Sequence, residues 1–195
     1  MRVFKFGGAS IADAGRMAAL LPIISEEQQP LLLVLSALGK TTNALERIVN
    51  LACKSKKDEA VALAKQLEQQ HLDQAKALLD EVHFVIAATE LNKQFEELER
   101  AIQNADGTRY DYSYDQIVCM GELFSSRMFS IFLQQNELPA EWIDIRKVMR
   151  TDDTYRDAVV DWDFTKLDAE ALIGRRLQHG KIIVTQGFIG STAEG

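Results

Sequence analysis

A chain of 195 residues, 47% hydrophobic and 26% charged, can bury a core without needing disulfides or bound metal. A formal charge of −7 and a pI near 5.0 leave no basic excess for binding nucleic acid or an anionic membrane. Cys53 and Cys119 are far apart, His71, His83 and His179 are not at ligand spacing, and no apolar run resembles a membrane span or a signal peptide, so a cytoplasmic protein with reduced thiols and no metal site is expected.

Val3, Phe4 and Phe6 predict an opening strand with Lys5 set among them. Gly7 and Gly8 offer bare amides to a ligand, and Ser10-x-x-Asp13 reads as a capping box that opens a helix at about Ile11. A strand lysine, open N–H groups and a helix N-terminus converge there, which suits phosphate; a buried strand ending in an ordinary glycine turn is the competing reading. Met17, Ala18, Leu20, Leu21, Ile23 and Ile24 predict a helix that Pro22 kinks or ends. The unbroken apolar run Leu31–Leu35 predicts a central strand buried on both faces. It passes into a loop with the hydroxyls of Ser36, Thr41 and Thr42, and then into a helix from about Thr42 to Lys54. Gly39-Lys40-Thr41 matches the tail of a P-loop, but that motif needs glycine where Val34 stands, so the match fails.

Two amphipathic helices follow, from about Lys57 to Leu79 and from about Phe84 to Asn104, and their apolar stripes predict an antiparallel pair with His71 as a core or boundary residue rather than a ligand. Ser113 is expected to cap a helix that runs to about Gln135 and is apolar nearly all round. Glu122 is its anomaly, because a buried carboxylate must reach water or meet a cation. A short strand over 141–144, a helix from Asp163 or Thr165 to His179, and a strand over 181–185 complete the pattern.

Four segments in the same order resemble the aspartokinases. Lys5-Phe-Gly-Gly-Ala-Ser10 is similar to their K-F-G-G-[TS]-S opening. Val34-Leu-Ser-Ala37 with Lys40-Thr-Thr-Asn43 is similar to a V-[VL]-S-A loop ending in T-N. Gly121-Glu-Leu-Phe-Ser-Ser126 resembles G-E-L-x-S, and Thr185-Gln-Gly-Phe-Ile-Gly190 matches T-Q-G-F-I-G. The resemblance implies an α/β fold of the amino-acid kinase type, a three-layer sandwich with a mostly parallel sheet between helices, truncated here to its N-terminal, aspartate-binding part.

It implies transfer of the γ-phosphoryl of MgATP to the side-chain carboxylate of L-aspartate, the first step toward lysine, threonine and methionine, with no tightly bound cofactor and a homo-oligomeric full enzyme. Lys5 would act in catalysis, and Lys5, Gly7, Gly8 and Ser10 would form the phosphate site. Ser36, Thr42, Glu122 and Phe188 would lie on the aspartate side. Asp144-Ile145-Arg146 stands where the family usually has D-A-R, and Ala9 replaces a common threonine. The family's T-T-T-L-G-R-G-G-S-D segment is not found in these residues, so the 195 residues alone are expected to be inactive. Another carboxylate or carbamate kinase of the same fold, or a non-catalytic binding module, remain as alternatives.

Overall fold

The computed structural model describes residues 1–194 and arranges them around a four-stranded parallel sheet. Its strands are β1 (Arg2–Phe6), β2 (Leu31–Leu35), β3 (Ala140–Trp142) and β4 (Ile182–Gln186), in the order β1-β2-β4-β3. Lys5 stands opposite Val34, and Val34 opposite Thr185. Because every pairing is parallel, the loops that leave the four strands all emerge at one end of the sheet, where open α/β sheets hold their ligands.

β2 is central in its pairing, but it is not buried on both faces. Leu31, Leu33 and Leu35 are sealed, whereas Leu32 and Val34 are half-buried. One face lies under a thick helical layer, while Leu32 on the other belongs to a small cluster around Ile173, Leu177 and Ile183.

That thick layer consists of α3 (Thr41–Cys53), α4 (Lys57–Leu78), α5 (Glu81–Asn104), α6 (Tyr110–Val118) and α7 (Met120–Gln135). α4 and α5 pack together as their stripes predict. The core they share holds His71, with Phe95 and Phe124 stacked at a 4.1 Å ring separation beside it. α7 is buried along nearly its whole length. Arg127 escapes by reaching the Glu90 carboxylate through Nε and Nη2 at 3.1 and 3.0 Å. No helix among the described residues is long and apolar enough to cross a membrane.

Several local expectations are corrected. Ser10 is not a helix cap. Its N–H closes a turn onto the Gly7 carbonyl at 2.8 Å, and the short α1 (Ala14–Ala18) is capped instead by Asp13, which accepts from Arg16 N. Of the two outcomes expected at Pro22 there is no kink but a break: α1 ends at Ala18, and Pro22 sits in the first turn of a separate α2 (Leu21–Ser25), where its missing N–H costs no hydrogen bond. α5 starts at Glu81 rather than Phe84, since Asp80 caps it through His83 N.

The helix expected from Ser113 to Gln135 is two helices that lapse at Cys119, with the first beginning at Tyr110. Ser113 Oγ accepts from Asp106 N at 3.0 Å and so ties down the preceding loop instead of capping. The last helical stretch, α8 (Trp162–Ala169) and α9 (Arg175–Gln178), is joined through a π-helical turn at Glu170–Gly174 and capped by Asp161.

Candidate functional site

At the ligand-binding end of the sheet, the Lys5 stem runs past Gly187, where a methyl group would stand 3.9 Å from Lys5 Cε and 3.2 Å from Val34 Cγ1. Phe188, in the left-handed region at φ +64°, lays its exposed ring 4.0 Å from Lys5 Nζ. Such a contact attracts the ammonium and leaves its other side open.

The two glycines after β1 play different parts. A methyl on Gly8 would meet the Ala37 and Gly39 carbonyl oxygens at 3.0 and 3.3 Å, so Gly8 lets the first loop lie on the second. Gly7 faces open space, so nothing in the protein itself requires glycine there. Gly8→Ala is therefore expected to cost about 1–2 kcal/mol of stability through overpacking. Gly7→Ala should leave the melting curve unchanged and weaken only the binding of inorganic triphosphate, as calorimetry on both variants would show.

The second loop is held from two directions. Ser36 N donates to the Phe6 carbonyl at 3.1 Å, and Ser125 Oγ on α7 donates to the Ser36 carbonyl at 2.7 Å. Ala37 N then donates to Glu122 Oε1 at 3.4 Å. Such closeness needs Gly121, because a methyl there would fall 2.9 Å from Ala37 Cβ, 3.1 Å from Leu45 Cδ1 and 3.2 Å from Thr41 Cγ2. Thr42 is half-buried in the first turn of α3, a helix that no side chain caps.

Glu122 is 9% exposed and, among the described residues, pairs with no lysine or arginine. Burial pushes its carboxyl above the usual range, against the opposing pull of backbone N–H groups of Glu122 and Ala37. Arg146 does not fill the role of counter-ion, since its Nε and Nη2 are held by Asp144 at 3.0 and 2.6 Å. Burial also pushes the thiol of the half-buried Cys119 up, to about 12.

The structure thus brings Lys5 on β1, Gly7 and Gly8 after it, Ser36 after β2, Thr42 in the first turn of α3, Glu122 on α7 and Phe188 after β4 to the same end of the sheet. Ser10 closes the first turn as an exposed residue and its side chain is not tied into the cluster. Sequence reasoning missed the supports. Gln186 Oε1 accepts from Ile145 N at 2.8 Å, its Nε2 donates to Ser126 Oγ at 2.7 Å, and Ser191 Oγ donates to the Arg146 carbonyl at 2.6 Å. Gln186 and Ser126 lie inside the matched motif segments, the one signal that pointed to them.

A model of the amino acid kinase family matches residues 1–195. The chain belongs to the amino acid kinase family. It is 33% identical to lysine-sensitive aspartokinase 3 of Escherichia coli (strain K12), over 99% of this chain and 41% of that protein. It is 31% identical to an aspartokinase of Chlamydia trachomatis, with the same two coverages. Among solved structures, E. coli aspartokinase III in complex with lysine and aspartate matches with a TM-score of 0.85 at 29% identity, over 99% of this chain and 42% of that one. The same enzyme with aspartate and ADP matches with a TM-score of 0.79 at 30% identity. This amino acid kinase chain therefore spans about two fifths of the length of these relatives.

Proposed function

We propose that these residues are the N-terminal, amino-acid-binding part of an aspartokinase, whose whole chain transfers the γ-phosphoryl of MgATP to the side-chain carboxylate of L-aspartate. The product is 4-phospho-L-aspartate, the entry to lysine, threonine and methionine synthesis. The observation that carries this reading is Glu122, a buried carboxylate with no cation partner among the described residues, beside the loops at the strand ends. Such a group is costly until a ligand ammonium completes it, and an α-amino acid brings one. The aspartate-bound structures of E. coli aspartokinase III support the choice of amino acid.

The chemistry needs no general base. A carboxylate acceptor is already ionised at neutral pH, so its oxygen attacks the γ-phosphorus while the bond to the bridging β-phosphate oxygen breaks and ADP leaves. What the protein must supply is alignment and relief of negative charge. Lys5 supplies the charge, with Gly7 and Gly8 donating N–H groups to the phosphoryl oxygens. Ser36, Thr42 and Phe188 shape the amino-acid side, and Glu122 takes the ammonium. Mg2+ travels with ATP as part of the substrate. The whole enzyme is read as a cytoplasmic homo-oligomer.

Calorimetry on the 195 residues tests this reading. L-aspartate is expected to bind, N-acetyl-L-aspartate to be rejected, and ATP-dependent hydroxamate formation to be absent because the T-T-T-L-G-R-G-G-S-D segment is not in these residues. Equal binding of the acetylated compound would remove the ammonium argument, and appreciable turnover would refute the division of labour.

A further inference from the structure

His71 belongs to α4, outside every loop that forms the site. Its Nδ1 lies 2.8 Å from the Leu67 carbonyl oxygen one helical turn back. A carbonyl can only accept, so Nδ1 carries the ring proton and Nε2 is an acceptor. The partner of Nε2 is Thr41 Oγ1 at 3.4 Å, which therefore donates. The ring is sealed from solvent, with Phe95 and Phe124 set edge-on at centroid distances of 5.7 and 5.2 Å.

Thr41 opens α3 beside Thr42. While its hydroxyl is turned to His71, its methyl meets α7 at Gly121, where Ala37 also packs. Glu122 follows directly. The hydroxyl and methyl of threonine branch from one carbon and rotate together between staggered wells. Another well would put hydrogen or hydroxyl where the methyl now supports Gly121. The gap between the Ser36–Lys40 loop and Glu122 thus depends on which way Thr41 faces.

We propose that His71 is a positioning residue for the amino-acid subsite: through the Thr41 hydroxyl it orients the Thr41 methyl and so sets the separation between the Ser36–Lys40 loop and Glu122. The structural part stands on geometry alone, whereas its consequence for substrate rests on the reading of Glu122 as the ammonium partner.

Ala37 N–H, which donates to Glu122 Oε1, reports that separation directly. In the 195-residue chain, His71→Phe removes the acceptor while keeping a ring among rings, and His71→Gln restores an acceptor near the Nε2 position. His71→Phe is expected to move the Ala37 amide resonance and to speed its exchange by about tenfold more than that of the core amides Leu33 and Leu45. It should also weaken L-aspartate binding by about tenfold, while His71→Gln stays within about threefold of the parent in both respects. A folded His71→Phe protein with an unmoved Ala37 amide would overturn the proposal. So would loss of protection that is equal at Ala37 and in the core in both variants, the mark of a merely structural histidine. If the parent chain binds no L-aspartate yet Ala37 responds as stated, the functional reading fails and the positioning role stands. Should His71→Phe not fold, Thr41→Ser keeps the hydroxyl and lacks the methyl; it must displace Ala37 in the same way, and an unmoved amide there would also overturn the proposal.

Discussion

Glu122→Gln is expected to cut L-aspartate affinity by about 100-fold or more, the equivalent of the roughly 3 kcal/mol that a charge-assisted contact in a partly desolvated site contributes. The same change should make the protein more stable, by about 1 kcal/mol. Glutamine keeps an acceptor for Ala37 N–H and the volume of the side chain, but it sheds a charge that burial disfavours. The pairing of lost binding with raised melting temperature separates a functional carboxylate from a structural one, because a structural one would lose stability on substitution. The sign of the pH dependence agrees. A carboxyl whose folded pKa is raised favours its protonated form in the folded state, so its penalty is absent in acid and appears as pH rises through the folded value. An arriving ammonium reverses that preference. Binding of L-aspartate in mildly acidic solution should therefore release a proton, seen as a buffer-dependent enthalpy in calorimetry and missing in Glu122→Gln. An enthalpy independent of buffer would argue that Glu122 is already ionised or does not meet the ammonium.

Acidification should unfold this protein in a window set by His71. Burial holds its imidazole neutral and lowers its folded pKa from 6.5 to about 4. A histidine depressed in this way gives its full stability above the unfolded value, and that stability is lost as pH falls toward the folded one. Between pH 6.5 and about 4 the unfolded chain takes up a proton that the folded chain refuses, at about 1.4 kcal/mol per pH unit and about 3 kcal/mol in all. For a domain of ordinary marginal stability this is a large share. Urea midpoints at pH 7, 6 and 5 measure the slope, and His71→Phe should flatten it over that range. Carboxylates held low by local hydrogen bonds, such as Asp80 and Asp106, add their own acid losses, but those are common to both proteins and cancel in the comparison. An unchanged slope in His71→Phe would mean that His71 is not kept neutral.

Strand and helix periods were readable because burial imprints them on composition. The apolar run of β2, the stripes of α4 and α5 and the nearly all-apolar α7 each sit where their patterns put them. Helix ends were less readable. Ser10 and Asp13 are both good cap residues, and only the turn closed by Ser10 N onto Gly7 decides that the helix waits for Asp13. Pro22 reads as a breaker in one long helix and as a first-turn residue in two short ones, and the sequence does not say which. The two-sided burial expected of β2 failed for a similar reason. Its own residues cannot show how little cover Leu32 and Val34 receive.

By itself the sequence determined the residue types that meet at the site. Lys5 stands before two glycines, hydroxyls follow the second strand, and one carboxylate interrupts an apolar helix, each an exception to the pattern around it and visible for that reason. Tertiary structure decided which exceptions serve the site and which serve packing. Gly8 and Gly121 permit close approach of backbone to backbone and helix to loop, whereas Gly7 faces open space. His71, an ordinary core residue by pattern, ends against Thr41 at the edge of the site. Those distinctions rest on distances between segments far apart in the chain, set by the packing of α3, α4 and α7 against the sheet, and a local run of residues carries no record of them.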